Sequence, residues 1–118
     1  MPDDSYLSTH VLDTAQGRPG AGIAVELHRL APEPGLIRRT VTNADGRVAD
    51  PLLPEAAFIP GTYELRFHVG AYFAAAGLAS DPPYLDVVPV RVALQAGQGH
   101  YHVPLLCSPF GYTTYRGS

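Results

Sequence analysis

Apolar and polar residues alternate with a period of two along several stretches of the chain, as expected of strands that bury one face. The clearest sets Tyr63, Leu65, Phe67 and Val69 against Glu64, Arg66 and His68. Ile23, Val25 and Leu27 oppose Glu26 and His28 in a second, and Tyr101, Val103, Leu105 and Cys107 oppose His100, His102, Pro104 and Leu106 in a third. Near the start, Leu7, Thr9 and Val11 share one face while Ser8, His10 and Leu12 share the other. The run from Val87 through Leu94 is more continuously apolar, which predicts a strand covered on both sides.

Turn chemistry separates these stretches. Asn43-Ala44-Asp45-Gly46 predicts a tight turn between a strand over 36–42 and a segment beginning near Arg47. Gly17-Arg18-Pro19-Gly20 breaks the first strand from the second, and Ile59-Pro60-Gly61 opens the strand at Thr62. The one helical candidate is Ala71-Tyr72-Phe73-Ala74-Ala75-Ala76-Gly77, where alanine favours the helix and Gly77 can stop it. Seven or eight strands with one short helix predict an all-β, antiparallel sandwich.

Composition narrows the function classes. At 118 residues the chain has room for a single domain, 1–118, and no second core. A 46% hydrophobic content against 16% charged residues suits a packed core rather than a disordered chain. The eight Lys and Arg are scattered and the net charge is −3, so no basic stripe is available for nucleic acid. No apolar run reaches the roughly 18 residues of a membrane span. One cysteine, Cys107, cannot form an intramolecular disulfide, and alternation points it inward, where a thiol is inert. The acidic N-terminus has neither a basic nor a hydrophobic targeting region, so a cytoplasmic protein is expected.

Four polar features stand out: His10, Arg47, the pair His100 and His102, and the terminal Tyr115-Arg116-Gly117-Ser118. If the apolar faces point inward, His10 and His102 point outward, beside Leu12, Pro104 and Leu106. That mixture is too apolar for bare solvent and reads as a subunit interface. His28 and His68 have charged neighbours on their own face and read as solvated. His100-x-His102 could bind a metal if a third ligand converged, but no Cys pair or His-Glu-x-x-His motif supports one. Arg47 could be no more than a residue after a turn, and the last four residues no more than a frayed end.

Leu7-Ser8-Thr9-His10-Val11-Leu12-Asp13-Thr14, Asp45-Gly46-Arg47, His100-Tyr101-His102-Val103-Pro104-Leu105-Leu106 and the ending from Ser108 to Tyr115-Arg116-Gly117-Ser118 together resemble the 5-hydroxyisourate hydrolases, the enzyme branch of the transthyretin-like family. The resemblance extends from Leu7 to Ser118 with its motifs in the family's order, and the terminal tetrapeptide separates these hydrolases from the hormone-carrying branch. Cys107 and Thr113 stand where similar sequences are expected to carry Leu and Ser.

The resemblance implies a sandwich of two four-stranded sheets with a short helix, assembled as a homotetramer with its sites at the dimer–dimer interface. It implies hydrolysis of 5-hydroxyisourate to 2-oxo-4-hydroxy-4-carboxy-5-ureidoimidazoline in urate degradation, with His10, Arg47 and His102 catalytic and Tyr115, Arg116, Gly117 and Ser118 lining the substrate. No metal or other cofactor is implied. Histidine suits the activation of water because its ordinary pKa near 6.5 leaves the neutral base dominant at pH 7. Arginine, always charged, suits an anion. Two rival readings are a transthyretin-like carrier that holds a small ligand without reacting, and a plain adhesion module that leaves the terminal motif without a purpose.

Overall fold

The computed structural model describes residues 4–117. Among these, eight strands form two four-stranded sheets that face each other across one apolar core. The first sheet has the order β2-β1-β7-β8, from Arg18–Pro19, Tyr6–Asp13, His100–Ser108 and Gly111–Thr114. The second has the order β4-β3-β5-β6, from Gly35–Val41, Ala24–Ala31, Gly61–Phe67 and Val88–Leu94. The helix α1 spans Val69–Ala75, and a single 3-10 turn lies at Glu55–Ala57. None of these helices is long and apolar enough to cross a membrane.

The alternating stretches become strands because each gives the core a complete inner face. Leu7 and Val11 of β1, Val25 and Leu27 of β3, Leu65 and Phe67 of β5 and Leu105 of β7 are fully buried. Removing such side chains from water stabilises the fold by roughly 1.5–3 kcal/mol each. Two inward polar residues on β1 are satisfied locally. Thr9 donates its hydroxyl to the Val103 carbonyl at 2.7 Å. Asp13 accepts from the Ala15 and Gln16 amides and from the Tyr72 hydroxyl, which hold its carboxyl below the usual range against the opposing effect of burial.

One pairing departs from the antiparallel pattern. β1 and β7 run parallel in an unbroken register from Tyr6↔His100 to Asp13↔Cys107. Parallel neighbours need a long crossover, and here the chain builds the whole second sheet before returning. That register positions the residues described below.

β6 corrects an expectation. Val88, Val90 and Leu94 are buried while Pro89, Arg91 and Ala93 are exposed, so the strand is covered on one face only. It forms the edge of its sheet, where a proline that cannot donate to a ladder is tolerated. The helix also starts earlier than the alanine run implied, because Val69 and Phe73 anchor it in the core. The segment after Arg47 forms isolated bridges rather than a strand.

Candidate active site

The turn at 43–47 is folded by its own side chains and then fastened to β1. The Asn43 Oδ1 accepts from the amides of Asp45 at 2.9 Å and Arg47 at 3.1 Å. Gly46 sits at φ 75°, and a Cβ there would lie 2.3 Å from the Val11 carbonyl oxygen, so only glycine allows the approach. Val11 in turn donates its amide to the Gly46 carbonyl at 2.8 Å, and Arg47 becomes the bridge partner of His10. The His10 Nε2 reaches the Asp45 carbonyl at 3.0 Å. A carbonyl only accepts, so this nitrogen carries a proton and His10 is pinned by its far end.

His102 is held from the opposite end of its ring. The parallel register sets Ser8 beside it, and the Ser8 Oγ lies 2.8 Å from its Nδ1. The same hydroxyl is within hydrogen-bond distance of the His100 Nε2. The His10 and His102 rings are 6.5 Å apart, and those of His100 and His102 are 5.7 Å apart. Burial lowers the His102 pKa below its ordinary value, helped by His100, the Arg47 charge and His10. All four effects disfavour the imidazolium, so His102 is a neutral base at pH 7 whose Nε2 is its outer nitrogen.

The C-terminal stretch returns along β7. The Gly117 amide donates to the His102 carbonyl at 2.8 Å, continuing the antiparallel register that pairs Thr114 with Leu105. A Cβ on Gly117 would lie 2.6 Å from the His102 Cδ2, so glycine is required for His102 to keep its place. In this register Tyr115 falls on the face of His102. Arg116 falls on the other, with its guanidinium 4.5 Å from the centre of the Tyr101 ring. A cavity of about 450 Å³ beside this stretch is lined by Leu94, Gln98, Tyr101, His102, Tyr115 and Arg116, among others. Ser118 lies outside the described residues.

The structure therefore gathers His10, Arg47, His102, Tyr115 and Gly117 around one stretch of the outer face and turns Arg116 toward Tyr101. Sequence reasoning missed Ser8 as their companion. Alternation puts Ser8 on the face of His10, yet only the register of two strands 94 residues apart sets it beside His102.

His28 and His68 correct a second expectation, because they do not stand free on a solvated face. The His28 Nε2 lies 2.8 Å from the Glu26 Oε1, the His68 Nε2 contacts Oε2, and these histidine side chains are only 17% and 29% exposed. Hydrogen bonds from His28 first, then His68, hold the Glu26 carboxyl down at about 2. Beside them Glu64 binds Arg66 at 2.7 Å and Arg91 at 3.2 Å. The Cys107 thiol is buried and pushed up to about 12, chiefly by that burial, which removes it as a nucleophile. Among the described residues no three His, Cys, Asp or Glu side chains form a metal-ligand cluster.

Comparison with known proteins supplies the remaining observations. Residues 7–117 match the HIUase/Transthyretin family. The chain is similar to 5-hydroxyisourate hydrolase 2 of Rhizobium meliloti (strain 1021), with 52% identity over 120 residues and all of both chains covered. Among solved structures it is similar to (S)-allantoin synthase, with a TM-score of 0.91 and 42% identity, all of this chain matching 46% of that one. It is also similar to sea bream transthyretin in complex with thyroxine, with a TM-score of 0.84, 30% identity and coverage of 94% of this chain and 93% of that one.

Proposed function

Because the chain belongs to the HIUase/Transthyretin family, we propose that it is the enzyme of that pair and hydrolyses 5-hydroxyisourate to 2-oxo-4-hydroxy-4-carboxy-5-ureidoimidazoline. The observation that carries this reading is the pairing of a neutral, half-buried His102 with His10 at 6.5 Å, with Arg47 bridged to His10. A site meant only to hold a ligand has no use for that arrangement.

Water is held between the two imidazoles as it approaches a ring carbonyl of the substrate. His102 takes its proton at Nε2, since Nδ1 is engaged by Ser8. His10, held by its Nε2–H on the Asp45 carbonyl, orients the water from the other side. Arg47 offers its planar donors to the oxyanion that forms at the attacked carbon. Tyr115 and Arg116 bound the adjoining cavity, and Gly117 keeps the His102 backbone in place by its amide. The proton then passes to the departing ring nitrogen.

We further infer a homotetramer with its sites at the dimer–dimer interface. Leu12 and Leu106 lie half-buried on the histidine face, while Pro104 is already buried within the chain, so the two leucines are the apolar surface a partner would cover. Light scattering at micromolar concentration tests this, and a fully active monomer would refute it. The activity is tested by generating 5-hydroxyisourate from urate and following its ultraviolet decay. Acceleration by the protein is expected, whereas binding without acceleration would favour the carrier reading that sea bream transthyretin with thyroxine represents.

A further inference from the structure

We propose that Ser8 and His100 form a proton relay behind His102, which stores on His100 the proton taken from water until the ring nitrogen departs. The relay rests on the hydrolase reading and adds two residues to it.

A hydroxyl owns a single proton. The Ser8 Oγ is within hydrogen-bond distance of both the His102 Nδ1 and the His100 Nε2. It carries one hydrogen, so at most one of the two imidazole nitrogens can accept from it and at least one must donate to it. For His102 to present a lone pair at Nε2, its Nδ1 must hold the proton. His102 Nδ1–H then donates to Ser8 Oγ, which leaves the Ser8 Oγ–H to donate to His100 Nε2, the direction the relay takes.

Position gives the relay a reason to run. A positive charge on His102 would face Arg47, His10 and His100. A positive charge on His100 lies against the Tyr6 ring, stacked at 4.3 Å with an interplanar angle of 6°, where the aromatic face favours a cation. Transfer along the relay therefore moves charge away from the arginine that must receive the oxyanion.

The steps balance without an outside acid or base. The water O–H bond breaks, its oxygen bonds to the carbonyl carbon, and the proton joins the His102 Nε2. The Nδ1 proton moves to Ser8 as the Ser8 proton moves to the His100 Nε2. When the tetrahedral centre collapses, the C–N bond breaks and the nitrogen takes the proton from the His102 Nε2. The Ser8 proton returns to Nδ1, the His100 proton returns to Ser8, and the starting state is restored.

Imidazole ¹⁵N chemical shifts of histidine-labelled protein, recorded without substrate and where the histidines are neutral, report the tautomers directly. The relay predicts Nδ1–H on His102, lost in Ser8→Ala. Turnover of Ser8→Ala and His100→Gln should fall at least about tenfold in kcat with KM little changed, and Ser8→Thr should restore most of it. An Nε2–H tautomer at His102 in the wild type overturns the relay, and so does full turnover in either variant. If the wild type shows no turnover, the hydrolase reading fails and the relay fails with it, whatever the tautomer. Turnover in the wild type with an Nε2–H His102 sinks the relay alone.

Discussion

Both sheets carry histidines on their outer faces, and the two faces use them differently. On β2-β1-β7-β8, His10 meets a main-chain carbonyl, while His100 and His102 share a serine hydroxyl. None of the three forms an ion pair among the described residues. On β4-β3-β5-β6, His28 and His68 share the carboxylate of Glu26. A carboxylate ties a ring into a structural pair, whereas burial and neighbouring positive charge keep a ring neutral and able to take a proton. The surroundings, not the residue type, assign each histidine its work.

The largest expected effect follows from removing the reactive side of this contrast. His102→Ala and Arg47→Ala should each lower turnover by at least about 10²-fold, roughly 2.7 kcal/mol of transition-state stabilisation. Both side chains lie outside the core, so thermal unfolding should shift by no more than about 1 kcal/mol equivalent. Loss of folding in step with loss of rate would erase the distinction between the two faces.

Gly117→Ala probes the same histidine through shape. The added methyl would have to displace His102, and a shift of about 1 Å can cost up to 10²-fold. Turnover should fall at least about tenfold while the melting temperature holds, as activity and calorimetry would show. Unchanged turnover would mean that His102 need not stand where Gly117 lets it stand.

The pH profile sharpens the contrast further. The lowered pKa of His102 keeps it a base as pH falls, so the acid limb of kcat/KM should lie below 6.5. A limb above that value would require a charged partner that raises the histidine. Glu26 behaves in the opposite sense. Its folded pKa of about 2 lies under an ordinary 4.5, so its stabilisation is complete above pH 4.5 and is lost as pH falls toward 2. Glu26→Gln should therefore cost about 1 kcal/mol at pH 7, with partial exposure limiting the loss, and the gap in urea unfolding should close through that window.

How far the sequence reached follows from what each feature requires. Alternation was enough to put His10 and His102 outward, because a strand's face depends only on its own residues. Asn43 and Gly46 were enough to predict the turn that carries Arg47, because that geometry is local. The hydrophobic pattern could not reveal that β1 and β7 run parallel, so the Ser8 contact to His102 was hidden. Nor could it bring His68, just past the end of β5, to Glu26 on β3, which needs the pairing of Glu26 with Arg66. The apolar composition of β6 failed for a related reason, since whether a strand lies at an edge is a property of the whole sheet.

The central claim is that outward histidines differ by partner, with His102 reactive and His68 structural. The most direct test is to follow the decay of freshly generated 5-hydroxyisourate with His102→Gln and His68→Ala, each checked for folding. The account predicts that His102→Gln loses at least about 10²-fold in turnover while His68→Ala matches the wild type. Wild-type turnover in His102→Gln, or an equal loss in His68→Ala with its fold intact, would contradict it.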